Sequence, residues 1–123
     1  MSRARGAAER GAVTAELAMA VPLLLAVTIG LVWLLTLGTA QVRMVDATRE
    51  VARAVARGDD ADTALDRGRQ VAPAGAVLTL TTTGDRVVVS GRVEVDGVGG
   101  LLEVMPSVEL KAEAVSARED VPP

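Results

Sequence analysis

From Leu17 to Val42 the chain carries no Asp, Glu, Lys or Arg, and from Leu23 to Leu37 nearly every position is aliphatic. As a helix at 1.5 Å per residue the run would measure about 39 Å, more than the ~30 Å hydrocarbon core of a bilayer. It is apolar on every side, so it predicts a membrane-spanning helix, assigned to 12–42, and not an amphipathic helix of a soluble core. Pro22 removes one backbone donor inside it and predicts a slight kink. The alternative is a secretory signal, with Arg3, Arg5 and Arg10 as its basic flank and Gly38-Thr39-Ala40 as a cleavage site that would free a module starting at Gln41. Signal h-regions span only about 7 to 15 residues, however, and Glu16 stands at the entrance of this one. Arginines flank both ends of the run, so charge does not orient it. The short N-terminal flank favours an N-terminus in the cytoplasm and a larger extracytoplasmic part.

A chain of 123 residues makes one small domain with an appended segment. Trp33 is its one aromatic, so any core must be built from small aliphatic side chains. There is no His and no Cys, which excludes the common zinc sites, Cys nucleophiles, His-based triads and disulfide frameworks. The net charge of −3 leaves no footprint for nucleic acid. Basic residues other than Lys111 are all arginine, a bias of GC-rich bacterial genomes. Asp59, Asp60, Asp62 and Asp66 fit a helix N-terminus better than a calcium loop, because Ala64 stands where an oxygen ligand is needed. Gly97-Val98-Gly99-Gly100 does not match a nucleotide-binding glycine loop. No catalytic residue, cofactor or metal site is expected, and the chain does not read as an enzyme.

Beyond the span the helix is predicted to continue over 43–58, running from about residue 13 to 57 in all. Val42, Val45, Val51, Ala52 and Val55 would form its apolar face, with Asp46–Arg49 and Glu50–Arg53 pairing on the other side. Gly58 is placed to cap it. A short second helix is predicted over 60–72, with Ala61, Ala64, Leu65 and Val71 on its apolar face and Pro73 and Gly75 ending it. Val77–Thr83 and Val87–Val95, joined at Gly84-Asp85, read as a hairpin, and the strict alternation of Val108–Ala114 reads as a third strand. The fold class is therefore α+β: a long N-terminal transmembrane helix continuing outside the membrane, a short second helix and a small three-stranded antiparallel sheet. The extracytoplasmic module is assigned to 59–118, with Leu101 and Leu102 in an exposed loop and a disordered tail over 119–123.

The stretch before the span, Arg10-Gly11-Ala-Val-Thr-Ala-Glu16, ends a basic leader in glycine and places a carboxylate at the fifth position after it. This resembles the class III signal of type IV pilins and pseudopilins. The longer pattern Gly11…Glu16…Pro22 and the Ala- and Arg-rich stretch Thr48–Gly58 resemble the TadE-like family of the tight-adherence (Tad/Flp) pilus machinery, over about residues 10 to 58. Trp33, Thr36 and Gln41 stand where the family often has an aromatic or a second acid. The resemblance implies a structural minor pilin or pseudopilin in a bacterial cell membrane, made with a prepilin leader over 1–11. It also implies cutting between Gly11 and Ala12 by a prepilin peptidase. The implied partners are that peptidase, other pilin and pseudopilin subunits, the membrane platform of the assembly machinery and the lipid bilayer. Glu16 would then pair with the Ala12 ammonium of a neighbouring subunit; the other reading is an interfacial acid stabilised by the helix dipole. Gly30 and Gly38 would allow close helix approach, or are simply tolerated in a membrane helix. The alternative function is a single-pass anchor for an extracytoplasmic module with no pilus role.

Overall fold

The computed structural model describes residues 2–97 and 99–119. The order of elements is α1 (Ser2–Ala56), α2 (Ala61–Val71), β1 (Val77–Thr83), β2 (Arg86–Val95), a 3₁₀ helix η1 (Gly100–Val104) and β3 (Val108–Ala117). The expected α+β architecture is present, with one long apolar N-terminal helix, one short helix and one antiparallel sheet. The chain falls into two units, Met1–Leu34 and Leu35–Pro123.

The first unit is helical from Ser2, eleven residues before the start expected from the apolar pattern. Its first turns are Ala, Arg and Glu with Gly6 and Gly11 between them, and those three residue types are among the better helix formers. The helix also passes through Pro22 without a break.

The second unit is built on the sheet, in the order β1-β2-β3 with both pairings antiparallel. Thr83 faces Arg86 across a two-residue turn. Gly84 has φ +60° and Asp85 has a negative φ, the combination a type II′ hairpin turn requires. Alternation then sorts the strands. Leu78, Val87, Val89, Gly91 and Val93 are buried on one face, while Arg86, Ser90, Arg92 and Glu94 face outward. β3 runs three residues beyond its expected end, pairing Val115 with Val88 and Ala117 with Arg86.

Onto the buried face packs the C-terminal part of α1. Met44, Ala47, Thr48, Val51, Ala52 and Val55 are all buried, at spacings of three and four. The expected face is thus partly corrected. Val42 is exposed and Val45 half-buried, because the stripe that meets the sheet runs through Met44, Ala47 and Thr48, one side round from the valines. Thr48 satisfies its hydroxyl by donating to the Val45 carbonyl, at 2.9 Å. The Asp46–Arg49 and Glu50–Arg53 pairs are not among the ion pairs of the described residues; Arg53 Nε instead donates to the Arg49 carbonyl. Gly58 closes α1 as expected, at φ +98°. Its N–H donates to the Val55 carbonyl and that of Asp59 to the Ala54 carbonyl, the two bonds of a Schellman cap.

Asp60 caps α2, accepting from the Thr63 N–H at 3.2 Å, which accounts for the acidic cluster as a helix start. In α2 the buried positions are Ala64 and Gly68, whereas Val71 is exposed. Of the tail over 119–123, only Glu119 lies within the described residues. Its N–H donates to the Ala56 carbonyl, at 3.1 Å.

A close approach at Gly91 sets the distance between sheet and helix. A Cβ there would lie 2.6 Å from Met44 Sδ and 3.1 Å from Thr48 Cγ2. Gly91→Ala should therefore cost about 1–3 kcal/mol through overpacking. Thermal melts of a fragment beginning at Gln41 should show a lowered midpoint, and an unchanged one would mean that this contact has room to spare.

Candidate assembly helix

Within the run Leu17–Val42 the described side chains lie bare. Leu17, Val21, Leu23, Leu24, Leu31, Leu34 and Leu35 are each more than half exposed, and only Trp33 and Ala40 are buried. Such a surface is unstable in water, at roughly 25 cal/mol for each Å² of apolar area left wet. Its length and composition suit a bilayer crossing. The hydroxyls along it are turned back on the helix: Thr28 donates to the Leu24 carbonyl at 2.8 Å and Thr39 to the Leu35 carbonyl at 2.9 Å. A threonine satisfied in this way presents mainly its methyl group to lipid.

Gly11 lies in mid-helix and is exposed, and a Cβ there would meet nothing within 4 Å. Ala12 follows it, equally exposed. Glu16 is one turn beyond Ala12 on the same side, about 6 Å along the axis. It is exposed and belongs to none of the ion pairs or hydrogen bonds among the described residues. Gly30 and Gly38 likewise have open space where a side chain would be. At 100° per residue they lie about 80° apart round the helix, so they share one half of its surface and not one line.

Sequence reasoning missed two other glycines, and both belong to the module. Gly68 and Gly91 are buried where α2 and β2 approach α1, Gly68 so closely that a Cβ would collide with Val51 Cγ2 of α1 and would sit 2.9 Å from Leu78 Cδ1 of β1. In α2 the signal was available: Gly68 continues the spacing of Ala61 and Ala64. Among the described residues no group of three or more His, Cys, Asp or Glu side chains is placed to hold a metal ion.

Comparison with known proteins bears on the same helix. Residues 11–53 match the family model described as TadE-like protein. The match begins at Gly11, covers the apolar run and Glu16, and ends within the part of α1 that packs on the sheet. The chain is also 33% identical, over 104 residues, to a Mycobacterium tuberculosis (strain ATCC 25618 / H37Rv) protein named apoptosis inhibitor Rv3655c. That alignment takes in 85% of this chain and 77% of the relative. No solved structure matches the chain significantly. The family match at the helix, joined to a relative aligned through most of the module, shows that the chain belongs to the TadE-like family, which is related to the Tad pilus system.

Proposed function

We propose that the chain is a minor pilin or pseudopilin of a tight-adherence pilus, cut by a prepilin peptidase between Gly11 and Ala12 and assembled through α1. The observation that carries this reading is an apolar run left largely exposed by its own fold, with a carboxylate at its entrance, Glu16, that has no partner among the described residues and lies one turn after a glycine junction. Such a surface calls for other helices or lipid, and a carboxylate at membrane depth calls for a cation. A free α-ammonium at Ala12 is the cation that cutting would create. Other pilin subunits and the membrane platform are the partners, with the N-terminus cytoplasmic and the module outside. Its role is structural and non-enzymatic.

The glycine is the recognition element, because an extended backbone drawn into a protease cleft gains from the missing Cβ. Gly11→Leu is accommodated by the helix, which has open space there. The variant should keep its leader, remain in the membrane fraction and be missing from sheared pili. Processing at the wild-type rate would count against the assignment.

A second reading is favoured by the name of the mycobacterial relative, which describes action on cell death and not on pili. In that case α1 anchors an extracytoplasmic module whose contacts are with another cell. Retention of Met1 or Ser2 and absence from pili would favour it.

A further inference from the structure

The turn between β2 and β3 carries apolar side chains that the core does not use. In a 3₁₀ helix residues three apart share a face. Leu101 and Val104 of η1 are such a pair, 60% and 81% exposed. Leu102 and Met105 form a second, half-buried face, with the Met105 N–H donating to the Leu102 carbonyl at 3.0 Å. Gly97 lies against that face, so close that a Cβ would collide with the Leu102 carbonyl oxygen. The third face holds Gly100 and Glu103, so the acid is turned about 120° away from the apolar pair.

Two hydrogen bonds give the direction of β3 along α1. Gln41 Nε2 donates to the Lys111 carbonyl at 3.1 Å, and the Glu119 N–H donates to the Ala56 carbonyl at 3.1 Å. Between these points the strand advances about 26 Å and the helix about 22 Å, so the two run alongside each other away from the apolar run. Followed the other way, β3 begins at Val108, about 10 Å on the apolar-run side of Gln41 and level with about Leu35. A bilayer core of ~30 Å that begins at Leu17 ends near Leu37, so the level of Leu35 lies just inside its outer boundary. The η1 turn precedes Val108, at that same end of the module.

We propose that Leu101 and Val104 insert into the lipid surface of the membrane that α1 spans, giving the module a second, shallow contact with lipid. The inference rests on the membrane span and does not require the pilus role. Glu103, on its own face, stays among headgroups and water.

The described residues and the full sequence contain no cysteine, so single cysteines carrying an environment-sensitive fluorophore each report one position. The full chain would be reconstituted in phosphatidylcholine–phosphatidylglycerol vesicles as Leu101→Cys, Val104→Cys, Glu103→Cys, Ala26→Cys or Asp85→Cys. Ala26 lies in the apolar run. Asp85 marks the opposite end of the module, where its carbonyl accepts from the Arg118 N–H. Labels at 101 and 104 should be blue-shifted, and quenched at least twofold more by lipids spin-labelled at the top of the acyl chain than labels at 103 and 85. The label at 26 should be quenched best by lipids labelled deep in the acyl chain. Labels at 101 and 104 that behave like the one at 85, with 26 deep, would overturn the insertion and leave the span standing. The same result in vesicles, with shielding only in assembled pili, would also overturn it in favour of a subunit contact. An aqueous label at 26 would overturn the span, and the insertion with it.

Discussion

A fragment beginning at Asp60 should show no cooperative melting transition, whereas one beginning at Gln41 should melt cooperatively. The reason is the division of the core. Met44, Ala47, Val51, Ala52, Ala54 and Val55 make up half of the buried cluster, and all six come from α1. Burying the three larger of them, Met44, Val51 and Val55, contributes on the order of 5–9 kcal/mol at 1.5–3 kcal/mol each. That is comparable to the whole stability of a typical domain, about 5–15 kcal/mol. The remainder has no aromatic residue or disulfide with which to compensate. Leu78, Val87, Val89 and Val93 would face water on a sheet without a cover. Circular dichroism during heating decides the matter, and equal midpoints for the two fragments would show that the sheet and α2 hold together unaided.

Glu16→Ala should still be cut and should accumulate in the membrane, yet fail to enter pili. The substitution removes a charge whose transfer to membrane depth costs about 2–3 kcal/mol, so insertion of the single subunit is unharmed. In the proposed helix bundle the consequence is reversed. The Ala12 ammonium of the neighbour is left without its carboxylate, and breaking one side of a buried pair costs about 3–5 kcal/mol. At 1.4 kcal/mol per decade this predicts a loss of more than a hundredfold in incorporation. Glu16→Asp keeps the charge on a side chain one methylene shorter and should retain part of the activity. Immunoblots of sheared pili against membrane fractions measure both variants. Wild-type incorporation of Glu16→Ala would make Glu16 an interfacial acid stabilised by the helix dipole.

What could be read from the residues alone follows a physical line. The long apolar helix was legible because absence of charge over Leu17–Val42 is a property of composition, independent of any packing partner. Gly58 and the Gly84-Asp85 turn were legible because backbone geometry restricts which residues stand there. The buried stripe of α1 was legible only in part: Val51, Ala52 and Val55 are buried as expected. Choosing its valines overlooked Met44, Ala47 and Thr48, which are buried because the sheet approaches closely at Gly91. That approach is a property of two elements together. The early helix start at Ser2 and the 3₁₀ turn at Gly100–Val104 were missed for a local reason, since neither carries an apolar period long enough to read. At the proposed assembly site Gly11, Ala12 and Glu16 stand out as a motif. Their proposed partners belong to other molecules, so the fold places these residues without completing the site.

The central claim is that α1 is a pilin helix released from its leader. Its most direct test is the N-terminus of the mature chain, read by intact mass and terminal sequencing of protein taken from its native host, with and without the prepilin peptidase. The account predicts a chain starting at Ala12, and loss of that product when the peptidase is removed. A mature start at Met1 or Ser2, or at Gln41 as a secretory signal would leave it, would contradict it.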